Sequence, residues 1–279
     1  MNARALLDWK HGYHAICREE RNVAAIVYHL LLHPPNLKRF LDLAGCKLAL
    51  VDNEMAIYFE YAFLRDLWSV RVRDNPEVGR KLILDLLQPQ NADVLARMTI
   101  VDFNSFFGAV PRPSREYIQS PGNWSIERFA PNVTDAAEFL RICRFKWAFN
   151  AKPDLVVHVS HDAALCIEAK LESGEGRYPT KPAEKTEFAR RGLPLQDQTD
   201  LQAYTLRQLL GLQTEFVFLV EDGRATSTTH RTITWRETFD ALDTSSCPVF
   251  IQQWIRRFGA EKQVWMPRPD EVAIPEASE

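Results

Sequence analysis

The sequence predicts an α/β protein in which a mixed β-sheet is flanked by helices, and three observations support this prediction. Two apolar runs of strand length, residues 155–159 and 164–169, are joined by a short turn, which is typical of an antiparallel hairpin. A third apolar strand, residues 215–220, follows through a helix, and such a connection favours a parallel crossover. The N-terminal part has helical periodicity, so we expect helices to cover the sheet.

The composition is that of an ordinary globular protein. The chain has 279 residues, 46% of them hydrophobic and 25% charged, which excludes a disordered chain, a collagen-like chain and a coiled-coil rod. The net charge of −3 provides no overall basic field, so a surface for nucleic acid would have to be local. The sequence has neither an apolar signal segment nor a run long enough to span a membrane, and its five scattered cysteines favour a reducing compartment, so we expect a cytoplasmic protein.

The first 133 residues are predicted to form a helical N-terminal region followed by an irregular insertion. Val23, Val27 and Leu30 recur at helical spacing, and the following prolines end that helix. Two further helices are predicted at residues 56–67 and 78–87. Prolines and glycines break the rest, up to residue 133, into short pieces.

Residues 134–266 are predicted to form a core that contains the sheet, and residues 267–279 a flexible tail. Thr134 or Asp135 can cap the first helix of this core. The predicted elements are a helix to residue 143, strands at 145–149, 155–159 and 164–169, a polar loop at 171–195, a helix at 196–210 ended by Gly211, strands at 215–220 and 232–235, and helices near 236–242 and 249–258.

Three charged residues flank the predicted hairpin. Asp154 precedes its first strand, and Glu168 and Lys170 lie at the end of its second strand. Glu168 and Lys170 share a face because side chains alternate along a strand. Asp154 lies opposite Glu168, with Cβ atoms about 5 Å apart, only if the turn at residues 160–162 has an odd number of residues or the hairpin contains a bulge there. A three-residue turn that pairs Val159 with Ala163 would give this register.

Two adjacent carboxylates repel each other unless a cation lies between them. Mg²⁺, which takes oxygen ligands and keeps several waters, would relieve this repulsion and could activate a phosphoryl group. Lys170 could hold or deprotonate a water and stabilise charge on the phosphate. Asp154, Glu168 and Lys170 are therefore suited to metal-assisted hydrolysis of a phosphodiester.

The motif Pro153-Asp154 followed by Glu168-Ala169-Lys170 resembles that of the PD-(D/E)xK, or restriction-endonuclease-like, nuclease superfamily. The resemblance covers residues 145–220, including the helix and strand after the motif. It implies a restriction-endonuclease-like fold and Mg²⁺-dependent cleavage of DNA, in which Mn²⁺ could replace Mg²⁺. It further implies Asp154 and Glu168 as metal ligands and Lys170 as the catalytic lysine.

The biological role that the resemblance most suggests is restriction or phage defence, with partner proteins of a defence system. A homodimer is plausible because double-strand cleavage needs two sites. The alternative from another class is a non-catalytic interaction or scaffold protein that retains a nuclease-like fold.

Members of this superfamily usually add a carboxylate from an upstream helix. Glu20 is the first candidate, since it lies in line with Val23 and Val27 and would point inward. Glu60 is a rival because it would share a helix face with Phe63. Glu138 is closer in sequence but is expected on the polar side of its helix.

The segment after Lys170 is predicted to be a mobile basic loop. Residues 177–191 carry more basic than acidic side chains, and such a loop beside the metal site could hold a phosphate backbone; a merely solvated loop is the alternative. The candidate nucleic-acid-binding residues are Arg177, Lys181, Lys185, Arg190 and Arg191.

Two other patterns in the sequence bear on this site. His158, His161 and Cys166 could bind zinc, but one hairpin with no fourth ligand is a poor zinc site. Some relatives in the superfamily carry Gln-x-x-x-Tyr in the helix after the motif, whereas here Asp200 stands four residues before Tyr204, which argues against a close exonuclease-type relative. Gln198 and Gln202 are expected on a solvated helix face.

Overall fold

The computed structural model describes residues 19–72, 74–171, 174–221 and 230–257. The N-terminal tip, the end of the core after residue 257 and the predicted tail therefore lie outside the described residues. The N-terminal half contains α1 (Glu20–Leu31), α2 (Pro34–Ala44), β1 (Ala56–Phe59), α3 (Phe63–Leu67), α4 (Pro76–Leu87), α5 (Ala92–Arg97), α6 (Ile100–Phe106), α7 (Ile126–Phe129) and α8 (Ala136–Ala148). No described helix is long and apolar enough to cross a membrane.

The C-terminal half contains the remaining strands and helices. They are β2 (Leu155–Ser160), β3 (Ala163–Ala169), β4 (Arg177–Tyr178), α9 (Pro182–Arg190), β5 (Gln196–Asp197), α10 (Gln198–Ala203), β6 (Gln213–Val220), β7 (Arg231–Thr234), α11 (Trp235–Ala241) and α12 (Val249–Arg257). Helices α3 and α10 continue into π-helical turns, Trp68–Val72 and Tyr204–Leu209.

The described strands form a mixed five-stranded sheet in the order β1-β2-β3-β6-β7. Strands β1, β2 and β3 are antiparallel neighbours, whereas β3, β6 and β7 run parallel. The prediction of an α/β protein with a mixed sheet flanked by helices is confirmed, as is the parallel crossover from β3 to β6. Strands β4 and β5 form a separate two-stranded ribbon.

The two faces of the sheet pack against different helices. Alternate residues of β2 and β3, among them Val157 and Leu165, form a core with α1, α2 and α11. The intervening residues, such as Val156 and Cys166, face the opposite side, where Leu206 packs on them. A second large core is formed by residues of the helices α4 through α8 together with α9 and α10. Asp154 and Glu168 belong to the face that carries Val156 and Cys166 because they continue its alternation.

The hairpin has the register that the motif requires. Leu155 pairs with Ile167 and Val156 with Cys166, so extending this register by one residue sets Asp154 opposite Glu168. The turn itself has two residues, with Ser160 opposite Ala163. The one-residue shift in register comes from a bulge between His158 and Ser160. The predicted bulge is therefore confirmed one position earlier, whereas the pairing of Val159 with Ala163 is wrong.

The helix predicted at residues 56–67 is wrong over its first part. Residues 56–59 form β1, at the edge of the sheet, and only Phe63–Leu67 is helical. Ile57 and Phe59 pack on the core while Tyr58 between them is exposed, an alternation that fits a strand. The N-terminal region is accordingly not wholly helical, since it contributes one strand to the sheet.

Two further predictions in the core are wrong. Residues 145–149, predicted as a strand, continue and end helix α8, whose buried Phe139, Ile142 and Phe145 recur at helical spacing. Of the two capping candidates, Asp135 caps this helix by accepting a hydrogen bond from the backbone N–H of Glu138. The predicted loop at 171–195 contains helix α9, which packs Phe188 into the second core.

Candidate active site

The three residues of the motif meet at one end of the sheet. Asp154 lies immediately before β2, Glu168 is in β3, and Lys170 follows β3. The side chains of Glu168 and Lys170 are both buried, and the Lys170 Nζ lies 2.6 Å from the Glu168 Oε1. The structure therefore brings together charged residues that lie at the two ends of the hairpin sequence.

Asp154 is fixed by backbone hydrogen bonds on both sides. Its Oδ2 accepts a hydrogen bond of 2.8 Å from the N–H of Ala169, and its carbonyl accepts one of 2.8 Å from the N–H of Glu60. The neighbouring Pro153 carbonyl accepts from the N–H of Tyr61 at 3.0 Å. The carboxylate of Asp154 is thus held across the hairpin through its Oδ2.

The environment of Asp154 favours its neutral form. Burial, the nearby Glu168 carboxylate and, to a smaller degree, Glu20 raise the pKa of Asp154 to about 7, although the Ala169 N–H and Lys170 act in the opposite direction. This repulsion between carboxylates is the situation in which a bound cation is most stabilising.

The backbone of Lys170 is held by two hydrogen bonds. Its amide N–H donates to the Leu219 carbonyl at 2.8 Å, and its own carbonyl accepts from the indole N–H of Trp235 at 3.0 Å. Burial by itself would lower the pKa of Lys170, but its charge interaction and hydrogen bond with Glu168, with help from Asp154 and Glu20, raise the pKa above its ordinary value. The side chain is therefore an ammonium that donates into the site.

Glu168 uses both of its carboxylate oxygens. The side-chain amide of Gln198 donates to Oε1 at 2.5 Å, and that of Gln202 donates to Oε2 at 2.7 Å. Glu168 is 2% exposed and Gln202 1% exposed, so these are interior contacts. A buried carboxylate needs such donors because it has lost its hydration.

The expectation that Gln198 and Gln202 lie on a solvated helix face is wrong. Both residues contact Glu168 in the candidate site, and their spacing contained a signal for this position. Gln198, Gln202 and Leu206 follow one another at intervals of four residues, which places them on one helix face. Leu206 is fully buried on the sheet, so this face had to be the inner one.

Glu20 lies at the start of α1 and reaches the same end of the sheet. Its Oε1 accepts a hydrogen bond of 2.8 Å from the N–H of Leu171, the residue after Lys170. Glu60 follows β1 instead of lying on the predicted helix, and it pairs with Arg21 and Lys152. Of the three upstream carboxylates, Glu20 is the one whose charge acts on both Asp154 and Lys170.

Glu138 has a structural role away from the motif. Its carboxylate accepts from the N–H of Gln90 at 3.1 Å and pairs with Arg141. The side chain is buried, so the expectation that it lies on the polar side of its helix is wrong.

The donor set fits a hard cation better than zinc. Among the described residues, no group of three His, Cys, Asp or Glu side chains is arranged to hold a metal ion. Mg²⁺ needs only one or two carboxylates when waters complete its shell, and Asp154 and Glu168 could provide them. The residues of the zinc alternative have separate partners: His158 contacts Tyr61, His161 contacts Glu54, and Cys166 lies 3.7 Å from Gln202.

The basic segment is structured and its cations differ in availability. Arg177 lies in β4, which is adjacent to the site because the N–H of Gly176 donates to Gln198 at 3.3 Å. Arg177, Lys181, Lys185 and Arg190 are exposed, although three of them pair with acidic neighbours. The Arg191 side chain is buried: it pairs with Glu187 and also donates to the carbonyls of Ala130 and Val133 at 2.8 and 2.6 Å. The expectation of a mobile loop is therefore wrong, and Arg191 is engaged inside the protein.

Comparison of the chain with protein-family models, with curated proteins and with solved structures gives no match. The class of site is therefore defined by its own geometry: two carboxylates and a lysine at the end of a mixed sheet.

Proposed function

We propose that this protein is a Mg²⁺-dependent DNA endonuclease with a restriction-endonuclease-like fold. The observation that carries the proposal is the convergence of Asp154, Glu168 and Lys170 on one end of a mixed sheet, with Glu20 beside them. A hairpin followed by a parallel crossover is consistent with such a core. Cytoplasmic restriction or phage defence, in a homodimer or with partner proteins, is the setting that we propose for this activity.

Each residue has a role that follows from its position. Asp154 and Glu168 would hold the metal ion, since they are the adjacent carboxylates whose charges repel. A divalent cation would supply charge neutralisation at the phosphate and lower the pKa of a bound water. The Lys170 ammonium can orient the attacking water or stabilise negative charge on the phosphate.

Gln198 and Gln202 would control the position of Glu168. In the structure, both oxygens of this carboxylate already accept hydrogen bonds, so a metal ion must share or replace one of these donors. The amides can yield without leaving a charge unpaired, whereas Lys170 cannot. We therefore expect Gln198, which is partly exposed, to move when the cation binds.

The direct test is hydrolysis of plasmid DNA, single-stranded DNA and RNA with Mg²⁺ or Mn²⁺. Asp154→Asn and Lys170→Met should abolish cleavage while the melting temperature shows that each variant folds. Asp162→Asn, in the turn of the same hairpin, and Lys146→Met, a partly buried lysine outside the site, are the matched controls. Cleavage that survives Asp154→Asn or Lys170→Met would contradict the mechanism. A folded wild-type protein that cleaves none of these substrates would favour the scaffold alternative.

A further inference from the structure

A group of aromatic side chains lies on β1 and the residues that follow it, on the same face of the sheet as Asp154 and Glu168. Tyr58 lies opposite Val156, two residues along β2 from Asp154, which corresponds to about 7 Å along the strand. Tyr61 is joined to the motif by the hydrogen bond from its N–H to the Pro153 carbonyl. The aromatic group is therefore a neighbour of the motif across the β1–β2 pair.

Two of these rings are unusually exposed. Tyr58 is 44% exposed and Phe63 is 43% exposed, whereas Tyr61 between them is nearly buried. The rings of Tyr61 and Phe63 are close to parallel, at 13°, with centroids 6.0 Å apart. Tyr61 also contacts Tyr58, with centroids 5.3 Å apart. Tyr61 thus supports two aromatic rings that remain accessible to solvent.

These rings border a groove with a volume of about 370 Å³, which also includes Val70 and Arg71. This volume is in the range of clefts that bind small molecules, and it can accommodate a nucleobase. Val70 is exposed and lies on the π-helical turn after α3, a kind of distortion that is frequent at functional sites.

The charges around the groove favour a polyanion. Its two carboxylates are already paired: Glu60 with Arg21 and Lys152, and Asp66 with Arg65. Arg71 adds a further exposed cation to the lining. The lining itself has two carboxylates against the one cation of Arg71. The positive excess beside the stacking surfaces comes from the three basic partners of those carboxylates.

We propose that the groove is a base-stacking subsite that binds single-stranded DNA next to the scissile phosphate. Unpaired bases would stack on Tyr58 and Phe63 while the cations around the groove contact the backbone. Stacking on aromatic side chains accepts any base because every base has a π face. The inference rests on the proposed nuclease function, and it assigns single-stranded or locally unpaired DNA as the substrate class.

The binding test uses the Asp154→Asn protein, so that cleavage plays no part. A fluorescent oligo(dT) of about 15 nucleotides, within the range of single-strand site sizes, and a duplex of the same length are titrated with this protein by anisotropy. Adding Tyr58→Ala and Phe63→Ala together should weaken oligo(dT) binding by about tenfold or more, since base stacking contributes about 1–3 kcal/mol per base. Duplex binding should change much less.

The controls separate stacking from folding. Tyr117→Ala removes an aromatic ring that is 43% exposed but does not border the groove, and it should leave oligo(dT) binding unchanged. Tyr58→Phe and Phe63→Tyr should retain binding because they keep the rings. Melting temperatures of all variants are compared with that of the parent protein.

The outcomes distinguish this inference from the proposed function. Normal oligo(dT) binding by the folded double alanine variant, or an equal loss for duplex and single strand, would overturn the stacking subsite even if the wild type cleaves DNA. Loss of single-strand binding only in the alanine variants would support it even if no cleavage occurred. Absence of oligo(dT) binding by the parent protein would also overturn it and would leave edge strand β1 as a surface for a protein partner.

Discussion

At the scale of single residues, Glu168 has the most demanding environment in the candidate site. A carboxylate that is almost fully buried loses its hydration, and the loss must be offset by donors. Lys170, Gln198 and Gln202 supply them, two to one oxygen and one to the other. If one donor is removed, the others remain, but the carboxylate is held less firmly and loses part of the stabilisation of its charge.

The contribution of one such donor can be measured with Gln202→Leu, which keeps the size of the side chain and removes the amide. We expect the free energy of unfolding to fall by about 1–3 kcal/mol, the cost of leaving a buried polar group without its partner. Cleavage should fall more than substrate binding, since Gln202 positions a metal ligand and has no contact with DNA in the proposal. Urea unfolding and steady-state kinetics measure the two effects.

The control for Gln202→Leu is Gln208→Leu, at an exposed position on the π-helical turn that continues α10. Its free energy of unfolding should stay within about 0.5 kcal/mol of that of the wild type. Equal stability and activity for the Gln202 and Gln208 variants would show that the buried amide is not needed.

The raised pKa of Asp154 predicts a pH dependence of stability in the absence of metal. The pKa is about 7 in the folded protein and near its ordinary value of 3.8 in the unfolded chain. Between these values the folded state holds more protons than the unfolded state, so the contribution of Asp154 to stability falls as the pH rises from about 4 to about 7. Asp154→Asn removes this contribution because the amide does not ionise.

Urea unfolding at pH 5 and pH 8 in EDTA tests this expectation. The loss of stability on going from pH 5 to pH 8 should be smaller for Asp154→Asn than for the wild type. Asp162→Asn, which is exposed, should follow the wild type. An identical pH dependence for all three proteins would mean that burial and the Glu168 carboxylate do not raise the pKa of Asp154.

At the scale of secondary-structure elements, helix α9 shows how a basic segment can be divided between structure and function. Arg190 points to solvent, where it pairs with Glu187. Arg191, one residue later, lies over the Phe139 ring at 4.0 Å and donates to carbonyls at the end of α7 and the turn that follows. The neighbouring arginines should therefore respond differently to substitution.

Arg191→Ala should lower the free energy of unfolding by about 2–4 kcal/mol, since it leaves buried carbonyls without donors and removes the contact with the ring. Arg190→Ala should leave the melting temperature nearly unchanged but weaken DNA binding if α9 contacts the phosphate backbone. Thermal unfolding and DNA binding measured on both variants distinguish the two roles. Equal destabilisation by both substitutions would contradict this assignment.

The hairpin bulge is the element-scale feature that creates the site. With the same two-residue turn and no bulge, Asp154 would lie opposite Ala169, and its side chain would point to the opposite face from Glu168. The extra residue at position 159 shifts the register by one residue and returns Asp154 to the face of Glu168. One local irregularity therefore determines whether the two carboxylates can act together.

At the scale of the whole molecule, two links between the N-terminal region and the sheet position the candidate site. Strand β1 pairs with β2, and α1 delivers Glu20 to the end of β3. The candidate site is thus assembled from residues more than 130 positions apart in sequence. Ligand binding to this site should stabilise the whole fold, because unfolding separates the groups that form it.

Mg²⁺ should accordingly raise the melting temperature in a concentration-dependent way. At a concentration about 100 times its dissociation constant the ion adds about 2.7 kcal/mol to the free energy of unfolding. Thermal unfolding with increasing MgCl₂ should show this shift for the wild type and Asp162→Asn but not for Glu168→Gln. A shift that Glu168→Gln retains in full would place the cation elsewhere.

Much of the fold was accessible from the sequence because its signals are local. The strands around the motif, the helix–strand crossover and the cap at Asp135 follow from alternation, apolar spacing and one side chain that bonds its own helix. Two of the errors arose where an apolar run fits either structure. The run at 145–149 continues a helix because it packs among other helices, and the run at 56–59 becomes a strand because β2 offers an edge.

Local sequence patterns were enough to predict the residues of the candidate site, Asp154, Glu168 and Lys170, their alternation on strands, and the need for a one-residue shift in the hairpin register. What surrounds these residues depends on the tertiary structure. It brought Glu20 to Leu171, placed Gln198 and Gln202 on Glu168, and turned Arg191 inward. These contacts join distant segments, and their energies depend on burial and on the partners available, which local sequence patterns do not encode.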